Sequence, residues 1–407
     1  MKVIKYTSKE LNKILNRNFA KRRRIEERIK KIIDDVRLEG DDAVIRYTRK
    51  FDRVKLTPRQ LRVSEAEATG AYQNIDKEFI SSLKAIIENV SKFYRKKMPK
   101  SWKMKGDEGV ILGENYTSLN KVGIYIPSAQ APLISSVYMT VVPAKVAGVK
   151  EIYVVTPPNK FGSIDPHILV VANLLKVDAV YKVGGAQAIA ALAFGTKTIP
   201  KVDKIVGPGN IYVTEAKRQV FGYVDLDMMA GPSEIVIIAN QHSNLAYVLS
   251  DLAAQKEHTG GLGIVITPSK ALARQLRREP DGGYVILVKN LDHAAELANE
   301  IAPEHLEIMV KSPNRILKKI KNAGAVFIGP YSPAVVGDYA AGPSHVLPTG
   351  GTARFFSGLS LSDFVRSTHV ISYTKKALEK AKPLVEKMAG LEGLPKHVES
   401  IRVRFKE

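Results

Sequence analysis

From about residue 150 onward, short apolar runs and helical stretches alternate along the chain, and that alternation leaves few folds open. Runs at 151–156, 179–183, 204–206, 234–239, 263–267, 284–288, 306–310 and 325–328 read as strands. Stretches of helical character lie between them, from 211 and at 245–258, 271–278 and 293–301. Strands separated by helices must cross over to parallel neighbours, so the pattern predicts an α/β class with parallel sheets. Ligands in such folds sit beyond the carboxyl ends of strands, which directs attention to the Gly-rich and polar turns. The first hundred or so residues read as mainly helical and highly charged. The stretch from about 375 reads as helical, ending in a strand-like tail, IRVRF. No internal repeat or low-complexity linker divides the 407 residues. Two or three domains that pack closely or interleave are expected.

Composition removes several classes of chemistry. With no cysteine, disulfides, thiolate zinc sites, Cys-held iron–sulfur clusters and a Cys nucleophile are all excluded. The formal charge of +21 admits either a nucleic-acid footprint or a generally basic surface. Lys and Arg are spread along the whole chain. The densest run, Lys21-Arg22-Arg23-Arg24, opens an amphipathic helix with Ile25, Ile29, Ile32, Ile33 and Val36 on one face. No helix-turn-helix, RNP-like or zinc-finger pattern accompanies it, and no nucleic-acid partner is expected. The start has no apolar core of a signal peptide. The apolar stretch at 122–149 is broken by Pro127, Pro132, Pro143 and Lys145. No membrane partner and a cytoplasmic location are expected.

Five constellations can carry chemistry. Gln255 and His258 close the 245–258 stretch at i, i+3 on one helix face, where both can grip one metal or simply end a helix. Glu304 and His305 stand side by side just before a strand, as a base with a water-orienting carboxylate, or as a favourable helix end. The shaped loop 337–349 carries Asp338 and His345. Asp, His and Gln form a reasonable thiolate-free zinc set, and the same Asp suits a turn. Glu392 to His397 reads locally as a surface turn. Gly184-Gly185-Ala186-Gln187 and Gly207-Pro208-Gly209-Asn210 each join a strand to a helix, where backbone N–H groups favour phosphate or the chain simply packs tightly.

The ordered series DVRLEGDDAVIRYTRKFD (35–52), VGIYIP (122–127), YKVGGAQAIAALAFGT (181–196), VGPGNIYVTEAKRQV (206–220), MAGPSEI (229–235), APEHLEI (302–308), GDYAAGPSHVLPT (337–349) and EGLPKH (392–397) resembles the histidinol dehydrogenase family across nearly the whole chain. The resemblance implies an NAD-dependent, two-step oxidation of L-histidinol through histidinaldehyde to L-histidine. It implies one zinc per subunit, held by Gln255, His258, Asp338 and, from the partner chain, His397. Glu304 and His305 would be the catalytic pair. Ser233, His345 and Glu392, with the metal ligands and His305, would contact substrate. Tyr125, Gln187 and Asn210 would contact NAD. The implied assembly is an intertwined homodimer with an active site shared across its interface. Each chain would have an N-terminal extension (1–21), a discontinuous Rossmann-like domain (22–121 with 234–358), a second on the NAD side (122–233) and a C-terminal dimerisation segment (359–407). The chain departs from the family at Ser128-Ala129, where Gly-Gly is usual, and at Thr259, where an acidic residue is usual.

This chemistry suits the bare residues. Without Cys to hold an aldehyde, water must add to it directly, and a positioned Glu and His suffice for that. The competing readings are a related zinc/NAD dehydrogenase acting on another amino or sulfo alcohol, and a basic binding protein without turnover.

Overall fold

The computed structural model describes residues 1–17, 23–127, 131–229, 231–279 and 282–406. Lys21, Arg22, Ser128, Ala129 and Ala230, which enter the sequence reading, lie outside these. The chain forms two compact units, Met1–Lys97 with Leu119–Phe364, and Met98–Ser118 with Val365–Glu407.

The larger unit holds two sheets whose strands pair in parallel, as the strand–helix alternation predicts. In the first, β1 (Lys2–Lys5), β11 (Tyr284–Leu287), β10 (Leu262–Thr267), β9 (Glu234–Ala239), β12 (His305–Met309) and β13 (Ala325–Ile328) lie side by side in that order. Helices on both faces bury β9 (EIVIIA) along its whole length, which is why it reads as a continuous apolar run rather than an alternating one. In the second, the order is β6 (Ala179–Lys182), β5 (Glu151–Thr156), β4 (Lys121–Tyr125), β7 (Lys204–Val206) and β8 (Asp225–Leu226). The amphipathic helix Arg23–Glu39 buries Ile29, Ile32, Ile33 and Val36 in the core of this second sheet.

The smaller unit is of a different kind. β14 (Val365–Ser372), β3 (Ile111–Ser118) and β2 (Trp102–Lys105) form an antiparallel sheet, and two helices, Lys375–Leu391 and Pro395–Arg402, follow β14.

The N-terminal hundred residues are mainly helical, as expected, with one short strand, β1, added to the first sheet beside β11. The antiparallel sheet has no counterpart in the sequence reading. The tail IRVRF is not a strand: Ile401 and Arg402 end a helix and Val403–Phe405 form a 3₁₀ turn. Its alternation imitates a strand, but Pro395 at the first helical position sets a helix that the tail continues.

Candidate active site

The site grows from the amino ends of two adjacent strands. The helix Leu291–Ile301 closes on Ala302 in a left-handed conformation (φ 48°), Pro303 follows, and Glu304 and His305 lead into β12. Beside them Ser233 and Glu234 lead into β9, with His305 in register with Ile235. The α/β rule places ligands at carboxyl ends of strands, but here the chemistry-bearing residues stand at the opposite edge of the sheet.

A hydrogen-bonded chain runs through this edge. Gln255 Nε2 donates to Ser233 Oγ (2.9 Å), and Ser233 Oγ donates to Glu304 Oε2 (2.6 Å), which also accepts from the Glu234 N–H (3.0 Å). Burial pushes the Glu304 carboxyl up to about 8, against the pull of those two hydrogen bonds. Glu304 is therefore neutral at pH 7. Its folded state keeps a proton that an ordinary carboxyl, at 4.5, has already lost. This contribution to stability is fully present below about pH 4.5 and is lost as pH rises through about 8. We expect Glu304→Gln to melt like the wild type near pH 4.5 and at a higher temperature above pH 8, the gap worth about 1.4 kcal/mol for each pH unit crossed. Melting curves that stay parallel across this range would refute it.

His305 is 3% exposed, and neither ring nitrogen has a hydrogen-bond partner among the described residues. Nδ1 lies 3.8 Å from Glu304 Oε2 and Nε2 lies 3.7 Å from Asp338 Oδ1. Burial lowers its pKa, so the ring is neutral at neutral pH and can accept a proton. Asp338 ends a short helix, Ala334–Tyr339. Burial raises its carboxyl, opposed by the neighbouring His305 and His258. The helix carrying Gln255 runs Leu245–Lys256 and stops before His258. The two residues therefore do not share a helix face as the spacing suggested. His258 is exposed in the following turn, held by Gly261 N donating to its carbonyl (2.8 Å), and its ring acts electrostatically on both Asp338 and His305. His345 lies in the loop beyond Asp338, its Nδ1 2.9 Å from the Asp338 carbonyl and its Nε2 3.4 Å from Ser136 Oγ. Burial pushes it down to about 4. Among the described residues, no three His, Asp or Glu side chains group closely enough to hold a metal by themselves.

Sequence reasoning missed the residues that brace this edge. Arg17 grips Glu234 with Nε at 2.5 Å and Nη2 at 2.6 Å, and the same Nη2 donates to the Ile301 carbonyl (2.8 Å). A two-pronged guanidinium thus ties the start of β9 to the helix end before Glu304. Tyr94 OH accepts from the Ser344 N–H (2.9 Å) and donates to the Leu359 carbonyl (2.8 Å), fixing the loop that carries His345. Contacts between residues over two hundred positions apart leave no local signal in one sequence.

Tyr125, Gln187 and Asn210 cluster differently, at the carboxyl end of the second sheet, as the α/β rule expects. There β4 leads on towards β5 on one side while β7 lies on the other. Gly207 turns out of β7 at φ +114°, and a Cβ there would stand 2.2 Å from the Tyr125 carbonyl oxygen, so only glycine fits. Gly185 N donates to Tyr125 OH (3.1 Å). Gln187 is 1% exposed, and neither of its amide atoms has a partner among the described residues. Asn210 caps the helix Ile211–Val220, its Oδ1 accepting from Tyr212 N and Val213 N. Glu392 and His397 belong to the smaller unit. Glu392 ends the helix Lys375–Leu391, and His397 is exposed in the helix Pro395–Arg402, so the expected surface turn is a tight link between helices.

A family model described as histidinol dehydrogenase matches residues 15–405. The chain belongs to the histidinol dehydrogenase family. Histidinol dehydrogenase from Clostridium acetobutylicum is 47% identical over 397 residues, covering 93% of this chain and 92% of that protein. The histidinol dehydrogenase of Caldanaerobacter subterraneus subsp. tengcongensis is 46% identical over 413 residues, covering 97% and 96%. A crystal structure of histidinol dehydrogenase from Elizabethkingia anophelis superposes with a TM-score of 0.92 at 36% identity, covering 100% of this chain and 98% of that one. Of the histidinol dehydrogenase segments quoted from the sequence, APEHLEI leads into and forms the start of β12. VGIYIP closes β4, and VGPGN leaves β7 for the glycine turn beside Tyr125. Among the described residues, no helix is long and apolar enough to cross a membrane.

Proposed function

We propose that this chain oxidises L-histidinol through the aldehyde to L-histidine with NAD, using zinc to seat the substrate. Membership of the histidinol dehydrogenase family carries the reading, and the buried Glu304–His305 pair supplies its proton chemistry. In the first oxidation the neutral ring of His305 takes the hydroxyl proton as hydride leaves the carbinol carbon. In the second, Glu304 in its ionised form takes a proton from water as the oxygen attacks the aldehyde carbon, and the hydrate gives up hydride to become the acid. Ser233 and the Glu234 N–H hold the Glu304 carboxylate in place. Bound zinc would anchor the substrate's imidazole and amine nitrogens, and bound NAD would take the hydride at each oxidation. Because Glu304 must be ionised, the rate of aldehyde oxidation is expected to rise through about pH 8.

The residues fit a zinc ion bound through nitrogen and oxygen. Gln255 commits its amide nitrogen to Ser233, leaving Oε1 as its acceptor. The His258 ring and the Asp338 carboxylate are in electrostatic reach of each other. These three would hold the metal from this chain, and His397 of a second copy would add a fourth donor. His345 and Glu392 would complete the substrate contacts, and Tyr125, Gln187 and Asn210 would hold NAD. The orphaned Gln187 amide is the observation that most favours a ligand there.

A homodimer sharing its site suits the smaller unit. Leu384, Met388 and Leu391 fall on one stripe of the Lys375–Leu391 helix and are 70%, 58% and 70% exposed. On this reading 122–233 is the cofactor-side domain, 22–121 with 234–358 the substrate-side domain, 1–21 an extension and 359–407 the dimerisation segment.

The deciding assay follows NADH formation from L-histidinol and NAD with and without chelator. The expected result is chelator-sensitive turnover with two NADH per histidine. His258→Ala is expected to lose metal and substrate binding together. Full turnover in metal-free protein would overturn the zinc assignment, and turnover only with other amino alcohols would overturn the substrate.

A further inference from the structure

A second buried acid lies behind the site, and the chemistry above does not use it. Glu307 is on β12, two residues beyond His305 and so on the same face of the strand. It is 1% exposed. Its Oε1 accepts from the Ala334 N–H (2.8 Å), while its Oε2 is buried and finds no donor among the described residues. The Asp251 carboxyl of the Leu245–Lys256 helix reaches it within hydrogen-bonding range. Two carboxylates cannot stay charged against each other away from water, so one must keep a proton. The groups acting on Glu307 are its own burial, the Asp251 carboxyl and the Ala334 N–H. The first two push it up to about 8, and Asp251 rises with it through burial.

The placement of the contacts gives this pair a role. Gln255 follows Asp251 by one helical turn, and Asp338 follows Ala334 by one turn. We infer that Asp251 and Glu307 share one proton and thereby act as positioning residues, holding the helices Leu245–Lys256 and Ala334–Tyr339 at the spacing that brings Gln255, His258 and Asp338 together. The inference rests on the proposed zinc ligands. The acid proton of one carboxyl bridges to the other, the Ala334 N–H ties down the second helix, and β12 is the fixed frame for both. Such outer partners fix ligand direction, and their loss costs about 10- to 100-fold in metal affinity.

An amide separates a shared proton from plain packing. In Glu307→Gln the side-chain NH₂ donates to Asp251 as the acid proton would, and its oxygen still accepts from Ala334. Glu307→Ala removes both contacts. The probe is Co²⁺ alone, titrated into metal-free full-length protein and read by its visible absorption, with KM and kcat for L-histidinol measured alongside. Glu307→Ala and Asp251→Ala are expected to weaken Co²⁺ about 10- to 100-fold and to raise KM far more than they lower kcat. Glu307→Gln and Asp251→Asn are expected to stay close to wild type. Should Glu307→Ala prove insoluble, the less buried Asp251→Ala gives the same reading. The inference falls if the alanine variants keep wild-type Co²⁺ affinity, or if Glu307→Gln is as weak as Glu307→Ala. His258→Ala serves as the control. If the wild type binds no Co²⁺, or His258→Ala binds it as well as the wild type, the ligand assignment itself fails and this inference fails with it. If His258→Ala loses Co²⁺ and the Glu307 and Asp251 variants do not, this inference alone fails.

Discussion

Replacing His305 with alanine is expected to lower kcat for L-histidinol by about 10²- to 10⁴-fold while KM and metal content stay near wild type. The size follows from what the ring has been freed to do. It is buried, neutral, and bonded through neither nitrogen to any described residue. A histidine kept only for packing would satisfy at least one ring nitrogen, because an orphaned buried group carries a penalty of about 1–3 kcal/mol. Removing it leaves the Gln255–Ser233–Glu304 chain in place, so substrate seating survives and proton removal does not. A His305→Ala enzyme with wild-type kcat, or one whose defect lies wholly in KM, would remove His305 from its role as base.

The second large effect concerns stability. Lys217 and Asp227 form an ion pair whose side chains are 2% and 0% exposed. The Lys217 ammonium also donates to the Gly207 carbonyl (2.8 Å), and Asp227 accepts from the Gly207 N–H (2.7 Å) and the Met228 N–H (2.7 Å). The pair therefore anchors the turn that presses against Tyr125. Lys217→Ala is expected to cost about 3–5 kcal/mol, because the Asp227 charge is left buried without its partner. That is a large part of the roughly 5–15 kcal/mol that holds most domains folded. Urea unfolding should show the loss as a lower midpoint. The double variant Lys217→Met with Asp227→Asn, which removes both charges and keeps an acceptor for Gly207, should recover most of it. A double variant no better than the single one would locate the cost in packing instead.

The parallel sheets were legible because their strands are apolar on both faces and are separated by helices, a pattern that leaves one fold class. The candidate residues could be picked out as types and neighbours, though not in their placement. Glu304 and His305 stand at the amino edge of β12, and nothing in APEHLEI says which edge of a sheet will face a ligand. β1 is four residues long and its partner strand begins some 280 positions later, so no local periodicity could reveal it. The antiparallel sheet joins 102–118 to 365–372, again across most of the chain. Arg17 reads in sequence as one more basic residue among many. Only the fold shows that it clamps Glu234.

His305 is a strand residue with neighbours on both sides, in register with Ile235 and Ala325. A side chain mounted this way has the stiffness of a sheet interior rather than that of a loop. Backbone amides along β12 should exchange with solvent only when the whole larger unit opens, while turns elsewhere exchange by local fraying. Two successive oxidations require one coenzyme to depart and another to arrive while the half-finished aldehyde stays put. On the roles proposed above, the acid–base pair sits in a stiff frame while coenzyme exchange takes place at the other sheet's crevice, and the reactive intermediate waits beside a base that does not move.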